Sequence, residues 1–274
     1  MHFTKVHGLG NDFILLDGRT RQLDYSKIAP ALCHRQTGVG ADGLLIVLES
    51  DKADVRMRII NSDGSEPEMC GNGIRCFAKY VYERGIVKKT GFAVETLAGI
   101  MKPKLVLKDG AVSGVTVDMG EPFLECKQIP VRGEGTCIDR ELTVNGQALR
   151  YTSVLVGVPH TTVFVDDPTD PQWMGMGWDV EHAGVFPNRT NVDFVRVIDD
   201  RTIELRTFER GCGPTLACGT GACGAAVACV LNKKTGRSVD VQIELGTLHI
   251  DWAEDNHVYM TGPAEIVFEG EIKG

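Results

Sequence analysis

No C-x-x-C pair occurs anywhere in the 274 residues, which weakens both a thioredoxin-like redox centre and a zinc ribbon. No apolar run approaches the roughly 18 residues of a membrane span. The start, MHFTKVHGLGNDF, has no charged segment followed by an apolar stretch, so a cytoplasmic protein without membrane contact is expected. No basic run offsets the net charge of −8, which argues against a nucleic-acid partner. The glycines of GVGADG (38 to 43) do not follow a strand, as a dinucleotide-binding turn would. The lysines suggest no pyridoxal site, so neither a cofactor nor a metal is expected.

What is present is ordinary for a globular protein of one large or two smaller domains: 43% hydrophobic and 24% charged residues. There are nine cysteines. An odd number, unevenly spread, does not look like a disulfide framework. Cys33, Cys76, Cys126, Cys137, Cys223 and Cys229 are read as structural, most of them small buried hydrophobes.

The chain is written twice. MRIINSDGSEPEMCGNG (57 to 73) aligns without a gap on LRTFERGCGPTLACGTG (205 to 221), so Cys70 falls on Cys218, Gly71 on Gly219 and Gly73 on Gly221. Asn61-Ser62 falls on Glu209-Arg210. Upstream, NDFILLD (11 to 17) meets HTTVFVD (160 to 166), which puts Asn11 opposite His160. Several matches in one order indicate an internal duplication. Runs such as FILLD, GLLIVL, VRMRII, FAVET, MKPKLVL and VSGVTVDM read as strands, as do SVLVGV, VDFVRVI, TIELRTFE, VDVQIEL and TLHIDWA. Helices are expected at 26–36, 72–84, 179–184 and 220–232. The acidic VDDPTDP (165 to 171) reads as a solvated loop. The expected fold class is α+β in two pseudo-symmetric halves: 1–118 with a returning C-terminal strand, 264–274, and 119–263.

A cysteine directly before Gly-x-Gly at a helix start has a chemical use. The thiolate is the reactive form, and about 3% is ionised at pH 7 for an unperturbed thiol. A helix N-terminus offers N–H groups and partial positive charge to an anion. The glycines let the backbone approach a carboxylate or a developing oxyanion. Two such motifs, related by duplication, suit a two-base reaction: one sulfur takes a proton from a carbon stereocentre and the other returns one to the opposite face.

Five motifs in order, GLGNDF (8 to 13), GADG (40 to 43), NSDGSEPEMCGNGIRCFA (61 to 78), ERGCGPTLACGTGA (209 to 222) and YMTGPA (259 to 264), resemble the diaminopimelate epimerase family over essentially the whole chain. The resemblance implies a pyridoxal-independent isomerase that interconverts LL- and meso-diaminopimelate in lysine and peptidoglycan-precursor synthesis. It also implies two similar domains, each a curved sheet around a central helix, with the active site between them, and a homodimer. Cys70 and Cys218 would be the acid/base pair. Gly71, Asn72, Gly219 and Thr220 would bind the reacting carboxylate. Asn11, Asn61, Asn191, Glu209 and Arg210 would hold the substrate's amino and carboxylate groups, with Glu209 and His160 assisting catalysis. Two positions depart from the commonest pattern: Gly43 stands where many relatives have Gln, and Val158 replaces a substrate-binding Asn in GVPH. Two other readings compete: a pyridoxal-independent racemase of proline, hydroxyproline or histidine type, and a redox role through a Cys70–Cys218 disulfide.

Overall fold

A computed structural model describes residues 1–21 and 23–272. Its contacts divide it into two compact units, Met1–Val117 with the chain from Thr261, and Asp118–Met260. Of the segment 264–274 assigned above to a returning strand, residues 273 and 274 lie outside the described residues.

The first unit runs β1 (His2–Gly8), β2 (Asn11–Asp17), α1 (Tyr25–Cys33), β3 (Gly43–Leu48), β4 (Val55–Asn61), α2 (Gly71–Glu83), β5 (Val94–Thr96), β6 (Gly99–Met101), β7 (Lys104–Lys108) and β8 (Ala111–Asp118). The second contains β9 (Arg140–Val144), β10 (Gln147–Val156), β11 (Val158–Phe164), α3 (Pro171–Glu181), β12 (Asn191–Val197), β13 (Thr202–Glu209), β14 (Gly213–Thr215), α4 (Gly219–Leu231), β15 (Ser238–Ile243) and β16 (Gly246–Trp252). Strands β17 (Val258–Gly262) and β18 (Glu265–Glu271) close the described chain, and β18 pairs antiparallel with β1.

Duplication is visible in the strand senses. From β1 to β6 the neighbouring pairs run antiparallel, parallel, antiparallel, parallel, antiparallel. The series β10, β11, β12, β13, β15, β16 repeats that alternation. Strands β2 and β3 read as continuous apolar runs because both faces are covered: Phe13 to Leu16 and Leu44 to Val47 are all buried. Helix α2 lies against β1 to β4, and α4 against β10 to β13.

The two central helices meet their sheets differently. Helix α2 buries Ile74, Phe77, Ala78 and Val81, whereas α4 (GTGACGAAVACVL) is apolar all round and buried through most of its length. Its small residues bring the backbone close. A Cβ placed on Gly224 would lie 2.8 Å from the His160 Cβ, and one on Gly221 would lie 2.8 Å from Asp193 Oδ1. Large residues at these positions would hold the helix off the sheet.

Three expectations change. The helix expected at 179–184 begins at Pro171, so the acidic loop is shorter than it reads. Asp170 caps the helix by accepting from the Gln172 N–H at 2.9 Å, and Pro171 takes the first helical position, where its missing N–H is no loss. The run MKPKLVL is two strands, because Pro103 cannot extend a ladder and β7 starts after it. Cys126 and Cys137 form a disulfide with Cα atoms 5.7 Å apart. An odd cysteine total does not bar one local bridge, and the turn between them is already closed by Cys126 N–H donating to the Gly135 carbonyl at 2.8 Å.

Candidate active site

Both cysteines of the repeated motif are helix N-caps. Cys70 has φ −141° and ψ 121°, and Cys218 has φ −120° and ψ 108°, the extended geometry of a capping residue. Cys70 Sγ accepts from the Gly73 N–H at 3.4 Å, and Cys218 Sγ from the Gly221 N–H at 3.3 Å. The first intrahelical bonds then run from Ile74 to the Cys70 carbonyl and from Ala222 to the Cys218 carbonyl. Helix geometry therefore leaves the N–H groups of Gly71 and Asn72, and of Gly219 and Thr220, without an intrahelical acceptor. These are pairs of donors at the positive end of a helix, beside a sulfur. They can grip a carboxylate and stabilise charge that develops on it.

Around Cys70 the first unit builds an amide cradle. Cys70 Sγ lies 3.5 Å from Asn11 Oδ1, which also accepts from Asn72 Nδ2 at 3.2 Å. Asn11 Nδ2 donates to Asp42 Oδ2 at 2.7 Å, so Asp42 sets which end of the amide faces the sulfur. Behind it, Asp12 is bridged by Lys5 at 2.6 Å and by Arg35 at 2.8 Å. Burial would raise the Asp12 carboxyl, but hydrogen bonds from Arg35 and Lys5 outweigh it and hold the group at about 2. Arg75 is fully buried in α2. It donates to the Gly71 carbonyl at 3.1 Å, to Asn72 Oδ1 at 2.9 Å and to the Pro263 carbonyl at 3.2 Å. Asn61 is farther from this arrangement in its bonding: its Nδ2 donates to Ser65 Oγ at 2.9 Å and its carbonyl closes the turn to Gly64.

The second unit sets two carboxylates, Glu209 and Asp193, near Cys218. Burial, then the charges of Glu209 and Asp193, push its thiol well above the ordinary value, and the Thr220 hydroxyl and Gly221 N–H only partly oppose them. Thr220 Oγ1 lies 3.4 Å from the sulfur. Glu209 Oε1 accepts from Thr215 Oγ1 at 2.6 Å, which leaves its second oxygen for another partner. The Arg210 guanidinium donates to the Asn188 carbonyl at 3.0 Å and remains exposed. His160 is fully buried: Nδ1 meets Asp193 Oδ2 at 2.8 Å and Nε2 meets Asn191 Nδ2 at 3.3 Å. Asn191 Oδ1 accepts from the Arg210 backbone N–H at 2.7 Å. Arg75 in α2 is matched in the repeat by Cys223 in α4, an uncharged residue.

A family model for diaminopimelate epimerase matches residues 3–124 and 152–267. The chain belongs to the diaminopimelate epimerase family. It is 53% identical over 276 residues to the diaminopimelate epimerase of Moorella thermoacetica, covering 99% of each chain, and 52% identical over 277 residues to that of Desulfitobacterium hafniense, covering 99% of this chain and 98% of the other. Among solved structures it resembles a probable proline racemase of Agrobacterium radiobacter, with a TM-score of 0.68 and 16% identity, covering 99% of this chain and 92% of that one. That likeness concerns the fold.

Gly43 and Val158, the two positions singled out in the sequence, have different physical settings. Gly43 pairs with Asn61 across β3 and β4, and a Cβ there would lie 2.6 Å from the Ile60 carbonyl oxygen. Glycine is what this backbone accommodates. Val158 opens β11 directly after Gly157, whose φ is +71° and whose Cβ position faces Thr220 at 3.4 Å. Val158 brings no hydrogen-bonding side chain to that turn. Sequence reasoning missed Asp42, Arg75, Asp193 and Thr207. Only Arg75 left a signal: an arginine on the face of α2 that otherwise reads as core.

Among the described residues no helix is long and apolar enough to cross a membrane, and no group of three His, Cys, Asp or Glu side chains is arranged to hold a metal.

Proposed function

We propose that the chain interconverts LL- and meso-2,6-diaminopimelate with two cysteines, one removing the α-proton and the other supplying a different proton to the opposite face, and no pyridoxal cofactor. The observation that carries this reading is the pair of N-cap thiols at matched positions of the duplicated fold, each followed by two helix-end N–H groups that have no intrahelical acceptor. In the proposed reaction one cysteine removes the α-proton while the other protonates the opposite face, and the roles exchange in the reverse direction. The raised thiol of Cys218 suits the acid, leaving Cys70 to take the proton in that direction. Carbanion charge spreads into the α-carboxylate, where Gly71, Asn72, Gly219 and Thr220 N–H groups would receive it.

The remaining roles follow the same reading. Asn11 would orient the substrate beside Cys70, with Asn61 contributing from the end of β4. Asn191 and Arg210 would hold the distal groups, the guanidinium in a fork on a carboxylate. Glu209 would attract the substrate ammonium and balance charge near Cys218. His160, sealed between Asp193 and Asn191, would act by orienting Asn191. The halves 1–118 with 264–274, and 119–263, would each supply one cysteine. A cytoplasmic homodimer belongs to the same reading and rests on the family resemblance.

A racemase of proline, hydroxyproline or histidine is not favoured. Full-length relatives at about half identity are named for diaminopimelate, and the proline racemase likeness stops at the fold. Incubation of the purified protein with diaminopimelate, lysine, proline, histidine and glutamate, each resolved by chiral chromatography, tests the reading. Only diaminopimelate should change configuration. Inversion of proline with diaminopimelate untouched would refute it.

A further inference from the structure

Asp193 is a fully buried carboxylate on β12, and the roles above use only its charge near Cys218. Its two oxygens accept from different groups: Oδ1 from Thr207 Oγ1 at 2.8 Å, and Oδ2 pairs with His160 Nδ1 at 2.8 Å. The N-terminal turn of α4 rests on the same pair, since a Cβ on Gly221 would lie 2.8 Å from Asp193 Oδ1 and 3.0 Å from Thr207 Oγ1. From His160 the contacts continue through Asn191 to the backbone of Arg210.

The polarity of this chain is fixed from both ends. The Arg210 N–H is a donor and can be nothing else, so Asn191 must present Oδ1 to it. Asn191 Nδ2 then faces His160 as a donor, and His160 Nε2 must accept. The ring proton therefore sits on Nδ1 and is donated to the Asp193 carboxylate, which can only accept. Placing a proton on Nε2 would oppose two donors at Asn191. Flipping the amide to avoid this would oppose two donors at Arg210.

We propose that Asp193 is a positioning residue: it locks His160 in the neutral Nδ1–H tautomer and, through Asn191, fixes the Glu209-Arg210 segment beside Cys218. Cys218 is the cap of the helix that rests on Asp193, so one carboxylate registers both the helix end and the loop. The functional consequence rests on the epimerase reading, but the tautomer does not.

The test is an ¹⁵N NMR measurement of the histidine tautomers in the intact protein, with His160 assigned by its loss in His160→Gln, together with steady-state kinetics. Wild-type His160 should show Nδ1–H with an unprotonated Nε2. Asp193→Asn keeps the shape, but with its oxygen on the Thr207 hydroxyl it turns an amide donor to Nδ1 while Asn191 still presents a donor to Nε2. The ring must then lose one of its two bonds, and the single Nδ1–H form should no longer be seen. An amide beside a histidine that touches the reacting atoms lowers the rate about 10⁴-fold. One residue further back, kcat should fall on the order of 10²-fold. Asp193→Asn with Asn191→Asp reconnects the chain with its middle bonds reversed, so its thermal midpoint should recover relative to Asp193→Asn alone. Wild-type His160 found as Nε2–H or as imidazolium would overturn the proposal, as would Asp193→Asn with wild-type kcat. A wild-type protein that inverts no diaminopimelate would sink the functional reading, while the tautomer and midpoint results would still decide the role of Asp193.

Discussion

The same substitution, glycine to alanine, should have opposite signs at two helical sites. In α4, a Cβ on Gly224 would lie 2.8 Å from His160 Cβ, 3.1 Å from its Cγ and 3.5 Å from Val154 Cγ2. His160 cannot swing away, because it is fully buried and held at both ring nitrogens. Helix and strand must separate by several tenths of an ångström, and overpacking of this kind costs about 1–3 kcal/mol. Weakening the His160–Asn191 bond adds about 1 kcal/mol. Alanine recovers about 1 kcal/mol in helix propensity. The net expectation for Gly224→Ala is a destabilisation of about 1–3 kcal/mol, with epimerase activity falling as the His160–Asn191–Arg210 chain is displaced. In α3, Gly175 has nothing within 4 Å of its Cβ position, so Gly175→Ala should keep the propensity gain and stabilise by up to about 1 kcal/mol. Urea denaturation followed by circular dichroism reads both variants against wild type. Equal stabilisation by the two substitutions would refute the close packing of α4 on β11.

Cys70→Ser and Cys218→Ser should each preserve the fold, since serine caps a helix at least as well, while inversion falls by 10²-fold or more, on the order of a lost general acid or base; circular dichroism beside chiral chromatography separates the two effects. Alkylation of Cys218 by iodoacetamide should be slow at neutral pH and accelerate only in strong alkali, and comparable labelling of Cys218 and an unfolded control at pH 7 would contradict its raised thiol. The same shift has a stability sign: with the folded value raised, the contribution is complete below about 8.5, the unfolded value, and is lost as pH rises above it. Urea midpoints between pH 7 and 10 should therefore fall more steeply for wild type than for Cys218→Ser. Asp12 has the reverse sign. Its carboxyl is lowered to about 2, so its contribution is present above about 3.9 and lost as pH falls towards 2, and Asp12→Asn should flatten the acid limb of the stability curve.

The cysteines were legible because a helix cap is local. An extended residue, a sulfur and Gly-x-Gly contain all the parts of the cap within four positions, and the duplication doubled the signal. The strands were legible where apolar runs end at glycine, as at Gly43 and Gly157. Asp42, Asp193 and Thr207 were not, because their partners are 14 to 33 residues away and are set by parallel and antiparallel register rather than by spacing. The raised state of Cys218 was equally hidden. A cap alone suggests a more acidic thiol, but burial and two carboxylates reverse it. Cys76 and Cys229, by contrast, sit as their helical spacing suggests: burial pushes both up to about 12, which leaves them inert. The start of α3 is hidden in the sequence because Asp170-Pro171 resembles a turn as much as a cap. The Cys126–Cys137 bridge depends on a turn that no cysteine count reveals.

The most direct test is inversion in deuterium oxide, using protein freed of small molecules and no added cofactor. LL-diaminopimelate is supplied, and both isomers are recovered in the first few per cent of conversion for mass analysis. With two cysteines acting on opposite faces, the meso product should carry one solvent deuterium at the inverted carbon while the recovered LL substrate carries essentially none. Product that retains its original proton, or inversion that appears only when pyridoxal phosphate is added, would contradict the two-cysteine mechanism.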